Sequence, residues 1–408
     1  MDQADRSRHQ NGALISTQHF DVIIVGAGIA GPVLGHLLLQ QGKKVLLIEQ
    51  YPELRTRVCG EYLCPMGVAL LDEIGLLQKM THAYLPIVGM NIINAYGTKL
   101  STTFPHEEGR PTYGLALQRR FFEAEIRHIF LESGGELLLG ERVSDLEQEG
   151  KLWRVKTVKE KTFSTSLLVG ADGRKSFVAK KVTEERPVFD KRLAIHAEVE
   201  TRADNERRGE MHLFSDGAYI GLDPIETRLM NVTLVCYPKD LESKAGGNPG
   251  HLLKYYIDQS AHLRERFQGV DGSLKTHTVW QLAHRVANIA GDNWALVGDA
   301  AGFFDPLTGE GIYLALWSCV TLARSLAQSQ SPTEGLARYA HEKEHFSKQK
   351  VFLNRLFQVL IKHPKATRLM AKFLGGKARR GDIFVGIIGN IYSPAQGIKK
   401  LLLERSPL

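Results

Sequence analysis

The sequence predicts an α/β fold: a Rossmann-like dinucleotide-binding domain, interleaved with an antiparallel β-sheet domain, then a helical carboxyl-terminal region. Three observations predict it. Residues 20–50 follow the pattern strand, glycine turn, helix, strand. Residues 185–290 contain several short β-like runs separated by turn residues, which is typical of an antiparallel sheet. The segment from residue 351 onward has helical spacing of apolar and basic residues.

Length and composition exclude several classes of protein. A chain of 408 residues exceeds what a single hydrophobic core usually holds, so we expect more than one structural unit. Apolar residues make up 43% and charged residues 24%, which is ordinary for a globular protein and excludes a disordered or fibrous one. Four cysteines are too few for a disulfide framework and favour a reducing, cytoplasmic location. Residues 1–19 are polar and mixed, and predict a disordered leader.

The net charge of +7 is concentrated at one end of the chain. Residues 351–408 carry +9, which leaves −2 for residues 1–350. The body therefore lacks the basic surface of a nucleic-acid-binding protein, and no nucleic-acid partner is expected. One interpretation of the tail is peripheral contact with the inner face of the membrane, with Phe357, Phe373 and Leu374 as apolar anchors. The other is a solvated helical cap over the substrate domain.

A dinucleotide motif opens the ordered part of the chain. After the apolar run Phe20–Val25, Gly26 permits a tight turn, Gly28 lets the backbone approach a pyrophosphate, and Gly31 lets the helix pack closely on the strand. Glu49 ends the second strand, where a carboxylate accepts hydrogen bonds from ribose hydroxyls. The candidate cofactor-binding residues of this unit are Gly26, Gly28, Ala30, Gly31, Glu49 and Gln50.

Two further motifs follow later in the chain. One contains Gly170-Ala-Asp172-Gly173-Arg174, and the other runs from Gly298-Asp299-Ala-Ala-Gly302 to Asp305-Pro-Leu-Thr-Gly-Glu-Gly-Ile312. Together the three motifs resemble the FAD-dependent monooxygenase superfamily of the p-hydroxybenzoate hydroxylase type. The segment 305–312 is most similar to the geranylgeranyl-reductase-like branch of that superfamily. The resemblance covers about residues 20–330 and implies non-covalent FAD.

The resemblance also implies roles for individual residues. Asp299 matches the aspartate that hydrogen-bonds a ribityl hydroxyl of FAD, and residues 309–312 match a helix start that faces the flavin pyrimidine edge. Arg119 matches a helix-start arginine near the ribityl chain and phosphate; a solvated arginine is the alternative. The cofactor-binding residues implied in this way are Arg119, Asp172, Gly173, Asp299, Pro306, Gly309, Glu310, Gly311 and Ile312.

A cysteine segment follows the second strand. In geranylgeranyl reductases a basic residue followed by Cys-Gly lies near the isoalloxazine ring, and Arg57, Cys59 and Gly60 match that arrangement. The resemblance makes Cys59 a candidate catalytic thiol as well as a cofactor-binding residue; a small packing residue is the alternative. Cys59 and Cys64 lack a second Cys or His pair at matching spacing, so no metal site is expected.

The sequence departs from both branches of the superfamily. Prenyl reductases carry Tyr-x-Trp-x-Phe-Pro on the substrate sheet, whereas this chain has Tyr219-Ile-Gly221-Leu-Asp223-Pro224. The hydroxylases usually have His after Gly-Asp-Ala-Ala, and this chain has Gly302. A second glycine motif for NAD(P)H is absent from the sequence, so NAD(P)H would dock on the FAD domain or another protein would deliver electrons.

These observations predict the following organisation. Residues 20–184 and 290–330 form the FAD-binding domain, with 75–112 partly contributing to the substrate domain of 185–289, and 331–408 form the basic helical region. The predicted function is that of an FAD-dependent monooxygenase acting on a hydrophobic, phenolic or polyketide-like small molecule, with NAD(P)H as electron donor. The alternatives are a carbon–carbon double-bond reductase of prenyl or lipid chains and a non-catalytic flavin carrier.

Overall fold

The computed structural model describes residues 18–55, 61–109, 111–188, 192–201, 204–280, 282–303 and 309–403. The candidate residues Arg57, Cys59, Gly60 and Pro306 lie outside these ranges. Of the segment predicted to be a disordered leader, only residues 18 and 19 are described. They extend the first strand, where the His19 ring hydrogen-bonds the Ser164 hydroxyl at 3.0 Å.

The strands and helices have the following bounds. In chain order the strands are β1 (Gln18–Val25), β2 (Val45–Glu49), β3 (Tyr62–Leu63), β4 (Leu85–Ile87), β5 (Gly89–Ile93), β6 (Lys99–Thr103), β7 (Gly114–Ala116), β8 (Glu136–Leu139), β9 (Val143–Glu149), β10 (Leu152–Thr157), β11 (Thr162–Gly170), β12 (Leu193–Glu200), β13 (Gly209–Leu213), β14 (Tyr219–Glu226), β15 (Leu229–Cys236), β16 (His277–Trp280), β17 (Ala290–Gly291) and β18 (Trp294–Leu296). The α-helices are α1 (Ala30–Gln40), α2 (Pro65–Glu73), α3 (Arg119–Glu132), α4 (Phe177–Val182), α5 (Pro238–Ala245), α6 (Pro249–Gln259), α7 (Ala261–Arg266), α8 (Gly311–Ala327), α9 (Pro332–Ile361), α10 (Pro364–Gly375), α11 (Ala378–Ile388) and α12 (Pro394–Leu403).

A sheet with a parallel core carries the glycine motif. Its strand order is β17-β18-β11-β1-β2-β8, and β9 and β10 continue antiparallel from β11. The pairs of β1 with β2 and β11, of β2 with β8, and of β11 with β18 are parallel. Successive residues of β1 pack on opposite faces: Ile23 lies in one hydrophobic cluster and Ile24 in another. Because both faces are covered, the strand is apolar throughout, as buried parallel strands are.

The second sheet is mostly antiparallel and supplies one wall of the site. Its strand order is β16-β12-β15-β14-β13-β5-β6, and β5 pairs with β13 in parallel. Alternate residues point to opposite faces. Ile220 and Leu222 of β14 pack under α6, whereas Tyr219, Gly221 and Asp223 face a cavity between the two sheets. Because β5 and β6 belong to this sheet, part of the segment 75–112 lies beside the residues of 185–289.

One predicted helix is shorter than its apolar pattern suggested. The spacing of residues 115–133 in the sequence predicts a helix over that whole segment, but α3 begins at Arg119. Residues Gly114–Ala116 instead form β7, between β3 and β4. The Leu117 N–H donates to the Glu61 carbonyl at 2.6 Å. Long-range strand pairing therefore takes the backbone groups that an additional helical turn would have used.

The carboxyl-terminal helices pack on the substrate sheet and on α8. Phe357 and Leu374, two predicted membrane anchors, are buried in the main hydrophobic cluster, whereas Phe373 is exposed. The Asp382 carboxylate of α11 accepts a hydrogen bond from the Thr103 N–H of β6 at 2.8 Å. The inner faces of these helices therefore cover the fold. Among the helices of the described residues, none combines the length and hydrophobicity that a membrane-spanning helix needs.

Candidate functional site

A cavity of about 590 Å³ runs from the glycine turn, past the start of α8, to the inner face of the substrate sheet. Twelve of the predicted cofactor-binding residues line it: Gly26, Gly28, Ala30, Glu49, Gln50, Arg119, Asp172, Gly173, Asp299, Gly309, Gly311 and Ile312. Two others, Gly31 and Glu310, lie behind its wall rather than on its surface. The fold thus brings three motifs that are distant in sequence to one continuous space.

The three glycines of the first motif have different surroundings. Gly26 has a φ of 106°, and a Cβ there would lie 2.5 Å from the Ala171 carbonyl oxygen. A Cβ on Gly31 would lie 2.0 Å from the Gly26 carbonyl oxygen, so Gly31 permits close packing of helix on strand. At Gly28 the nearest atom to a Cβ would be Glu123 Oε1, at 3.9 Å. Gly28 therefore leaves space open in the cavity rather than avoiding a clash within the protein.

The amino terminus of α1 adjoins that open space. Its cap residue, Ile29, has no side-chain hydrogen bond to the helix, and the first turn carries no acidic residue. Free N–H groups at a buried helix start favour an anion such as a diphosphate. The space at Gly28 and this helix end therefore fit the diphosphate of a dinucleotide.

Two charged side chains hold the glycine turn in place. The Glu49 carboxylate accepts hydrogen bonds from the N–H groups of Ala27 at 2.9 Å and Tyr51 at 3.0 Å. From α3, the buried Arg127 donates through Nε to the Ala27 carbonyl at 2.6 Å. Glu49 therefore shapes the turn as well as lining the cavity. Arg127 was not predicted, because its spacing in α3 is that of an ordinary helix arginine.

Arg119 lies at the cavity rather than in bulk solvent. Its Nε donates to Glu123 Oε1 at 2.7 Å, and its side chain is 23% exposed. Its backbone N–H donates to Glu61 Oε1 at 3.2 Å. The Arg119 side chain is therefore paired within the protein and partly buried, and its contact with the cofactor stays a prediction.

Asp172 and Gly173 line the cavity beside α4. The Asp172 carboxylate accepts hydrogen bonds from the Phe177 N–H at 2.6 Å and the Val178 N–H at 3.2 Å. It therefore stabilises the start of α4. Burial raises the pKa of Asp172 against these hydrogen bonds. Gly173, with a φ of 79°, supplies the turn that brings the chain past the cavity.

A buried polar cluster supports the start of α8. Glu310 Oε1 accepts hydrogen bonds from Lys350 of α9 and from Asn390, and Lys350 also donates to the Asn390 amide oxygen. The Asn390 amide contacts the Cys64 sulfur at 3.7 Å. The carboxylate of Glu310 thus points toward the carboxyl-terminal helices, while Gly311 after it lines the cavity. The sequence held no signal that paired these positions.

Cysteine chemistry and metal binding have little support in the described residues. Burial raises the pKa of Cys64 to about 11, so this thiol stays protonated at neutral pH. No group of three or more His, Cys, Asp or Glu side chains within the described ranges could hold a metal ion. Cys59, the candidate catalytic thiol, is outside those ranges.

Comparison with known proteins agrees with this geometry. Residues 19–352 match the model of a family described as FAD binding domain. This chain belongs to that family. Its cofactor is FAD, and the protein is an FAD-dependent oxidoreductase. The resemblance predicted from the three motifs is thereby confirmed.

Several known proteins of this kind are similar to the chain. Menaquinone reductase of Mycobacterium tuberculosis is 27% identical over 311 residues, 72% of each chain. 2-Heptyl-3-hydroxy-4(1H)-quinolone synthase of Pseudomonas aeruginosa is 28% identical over 319 residues, 74% of this chain and 80% of the relative. Digeranylgeranylglycerophospholipid reductase of Methanococcus aeolicus is 24% identical over 379 residues, 87% of each.

A solved structure shows the same fold. The flavin-dependent brominase Bmp2 superposes with a TM-score of 0.80 at 20% identity, covering 94% of this chain and 98% of that one. The predicted α/β fold class, with its antiparallel sheet and helical carboxyl terminus, is confirmed.

The sequence did not predict a set of polar side chains at the end of this cavity that lies against the substrate sheet. Tyr62, Glu210 and Asp223 line this end, and the half-buried Glu61 lies next to Tyr62 in the chain. Glu61 has a φ of 52°, an uncommon conformation for a residue other than glycine. The only available signal was position: Glu61 follows the Cys59-Gly60 pair, and Asp223 stands where prenyl reductases have an aromatic residue.

Proposed function

We propose that this protein is a monooxygenase that uses FAD and NAD(P)H to hydroxylate a hydrophobic small molecule. The observation that carries the proposal is the continuity of the cavity: the glycine turn and the inner face of the substrate sheet line the same space. The apolar part of that face includes Met90, Met211, Val235 and Val279. An apolar substrate would therefore lie beside the cofactor in a space from which water is displaced.

We propose that FAD binds extended along the cavity. Glu49 and Gln50 would lie at its adenosine end, and the α1 amino terminus would bind the diphosphate. Asp299 would accept a hydrogen bond from a ribityl hydroxyl, and Gly309, Gly311 and Ile312 would face the ring. When bound, FAD supplies the redox and oxygen chemistry, while these residues position it. The amino terminus of α8 would stabilise negative charge on the ring.

We propose the roles that the resemblance implies for four further residues: Arg57, Cys59, Gly60 and Pro306. Cys59 is the candidate thiol beside the ring, and Pro306 precedes α8 in the sequence. A Cys59→Ser variant tests the first role. If the thiol donates a proton during turnover, kcat falls while FAD still binds; if Cys59 only packs, kcat stays near that of the parent.

The rival activity is reduction of a carbon–carbon double bond. Two of the relatives carry reductase names, which is the specific observation in its favour. The inner face of the substrate sheet favours hydroxylation instead, because Gly221 and Asp223 replace the aromatic residues of the prenyl-reductase motif. A long prenyl chain would lose its aromatic contacts there.

Oxygen consumption separates the two activities. The FAD-loaded protein is supplied with NADPH or NADH and a panel of apolar aromatic compounds in an oxygen electrode, and products are identified by mass spectrometry. A monooxygenase consumes oxygen in proportion to hydroxylated product. Turnover that continues without oxygen and yields a product two hydrogens heavier would overturn the proposal in favour of the reductase.

We also propose that the outer surface of the carboxyl-terminal helices contacts an anionic membrane. Exposed apolar side chains lie close in sequence to basic ones: Leu369 is 70% exposed, Leu402 is 75% exposed, and Phe373 is also exposed. Lys399 and Lys400 precede the exposed end of α12. Basic residues near an anionic leaflet and inserted apolar groups both favour binding.

Vesicle flotation tests the membrane proposal. The full chain should float with phosphatidylserine-containing vesicles at low salt and partly dissociate as salt rises, because the Debye length falls from about 10 Å at 0.1 M to 3 Å at 1 M. A Leu369→Ser, Leu402→Ser double variant should lose the salt-resistant part. Protein that stays in the soluble fraction at low salt refutes membrane contact and leaves the FAD site unaffected.

A further inference from the structure

The end of the cavity farthest from the glycine turn is lined by polar groups that the cofactor proposal does not use. Asp223, on β14, lines the cavity and is partly exposed to it. Within the described residues its carboxyl group has no hydrogen bond or ion pair. A Cβ on Gly209 of the neighbouring strand would lie 3.1 Å from Asp223 Oδ1, so the glycine leaves room for the carboxyl group.

The Tyr62 ring borders the same end of the cavity. Its side chain is only 6% exposed and lines the cavity, and its hydroxyl has no hydrogen-bond partner in the part of the chain that the structure describes. Its ring is held close to Gly309, where a Cβ would lie 3.1 Å from Tyr62 Cδ1. The hydroxyl is enclosed by protein beside Gly114, where a Cβ would lie 3.2 Å from the oxygen, so the ring edge of Tyr62 and not its hydroxyl borders the cavity.

The charges around Asp223 decide which ligands this end accepts. Glu210 lines the same cavity but is already paired, with Arg266 at 2.6 Å and His212 at 3.3 Å. Burial opposes ionisation of Glu210, yet the His212 hydrogen bond and the Arg266 charge lower its pKa to about 2. Burial, with the Glu61 and Glu210 charges, raises the pKa of Asp223 to about 8. At neutral pH Asp223 is therefore mostly an uncharged hydrogen-bond donor.

We propose that Asp223 forms the polar end of the substrate cavity, where it binds an uncharged oxygen function such as a ketone, quinone or quinolone carbonyl. The rest of the substrate would be apolar, since Met90, Met211 and Val235 line the adjoining wall. A carboxylate at this position would be excluded, because it would be buried beside Glu210 without a cation of its own. This inference rests on the proposed function for its substrate site and deepens it by naming the substrate class.

Two compounds of nearly the same shape test whether the cavity prefers an uncharged carbonyl to a carboxylate. Para-heptylacetophenone and para-heptylbenzoate have the same aromatic ring and the same alkyl chain. The first carries an acetyl group where the second carries a carboxylate. Their dissociation constants for the FAD-loaded protein are measured at pH 7 from the change in flavin absorbance and by calorimetry. The ketone should bind roughly a hundredfold more tightly than the carboxylate. Equal binding, tighter binding of the carboxylate, or binding of neither would overturn the proposal.

Substitutions at Asp223 test whether this residue causes the preference for the ketone. Asp223→Leu should weaken ketone binding by about tenfold, because it removes the donor, and should reduce the preference for the ketone. Asp223→Asn should keep ketone binding, because the amide N–H still donates. Glu200→Gln, at the exposed end of β12 in the same sheet, is the matched control and should change neither constant. A preference unchanged in Asp223→Leu would refute the assignment. Because binding is measured without turnover, a failure of the monooxygenase proposal would appear separately, as absent oxygen consumption.

The Asp223 carboxyl group should also make ketone binding depend on pH. The groups that act on Asp223 are Glu61 before β3 and Glu210 of β13, and its own charge acts on Tyr62. The raised pKa means that Asp223 donates below about pH 8 and loses the proton above it. Ketone affinity should therefore fall as pH rises through about 8, and should stay constant there in Asp223→Asn. A fall of the same size in both proteins would contradict the role of Asp223.

Discussion

Replacing Gly28 by valine should remove FAD binding and leave the fold intact. A Cβ at Gly28 would meet nothing in the protein closer than Glu123 Oε1 at 3.9 Å, and the backbone there is not left-handed. The side chain would instead fill the space beside the α1 amino terminus, where the diphosphate is expected. The valine side chain would therefore occupy space that the cofactor needs, without a clash with protein atoms.

The magnitude follows from the hydrogen bonds that the diphosphate would lose. A hydrogen bond to a charged acceptor contributes about 1.5–3 kcal/mol. Loss of two backbone N–H bonds to the diphosphate therefore costs about 3–6 kcal/mol, which is roughly a hundredfold to ten-thousandfold in the FAD dissociation constant. The free energy of unfolding of the FAD-free protein should change by less than about 1 kcal/mol, since restricting an unstrained glycine is mildly stabilising.

Gly31→Ala is the matched control, three residues further along the same motif. Its Cβ would lie 2.0 Å from the Gly26 carbonyl oxygen, so α1 must move away from the strand. This variant should destabilise the FAD-free protein by more than about 3 kcal/mol, at or beyond the upper end of ordinary overpacking, because backbone rather than side chain must shift. Both variants are stripped of FAD, unfolded in urea, and titrated with FAD by fluorescence quenching. The reasoning is refuted if Gly28→Val unfolds as early as Gly31→Ala, or binds FAD like the parent.

Three further outcomes are expected. Lys350→Met should destabilise the protein by about 3–5 kcal/mol because it leaves the buried Glu310 carboxylate without its cation. Lys350→Met with Glu310→Gln should cost clearly less, and equal losses in urea unfolding would contradict the ion pair. Asp299→Ala should weaken FAD binding by about tenfold to a hundredfold through loss of one charged hydrogen bond. An unchanged dissociation constant would show that the ribityl chain does not contact Asp299. Heat or acid should release free FAD, and flavin absorbance that remains on the denatured chain would show a covalent link.

The local motifs could be interpreted from the sequence because their physics is local. A tight turn, a close helix–strand approach and a helix start each depend on a few neighbouring residues, so Gly26, Gly31 and Gly311 were recognisable without a structure. The alternation of buried and cavity-facing residues in β14 follows from strand geometry in the same way. These features predict the fold class and a dinucleotide cofactor, and the resemblance of the three motifs to a known superfamily implies that the dinucleotide is FAD.

Only the tertiary structure decided which distant side chains meet. Glu61 raises the pKa of Asp223 although the two residues are far apart in the sequence, and Lys350 reaches Glu310 because α9 packs behind α8. Sequence periodicity marks an apolar helix face but not its partner, so the sequence is compatible with Phe357 and Leu374 as membrane anchors or as part of a helical cap, and both pack inside the fold. The energy of a buried charge or hydroxyl depends on neighbours brought by long-range packing, and no sequence neighbourhood contains that information.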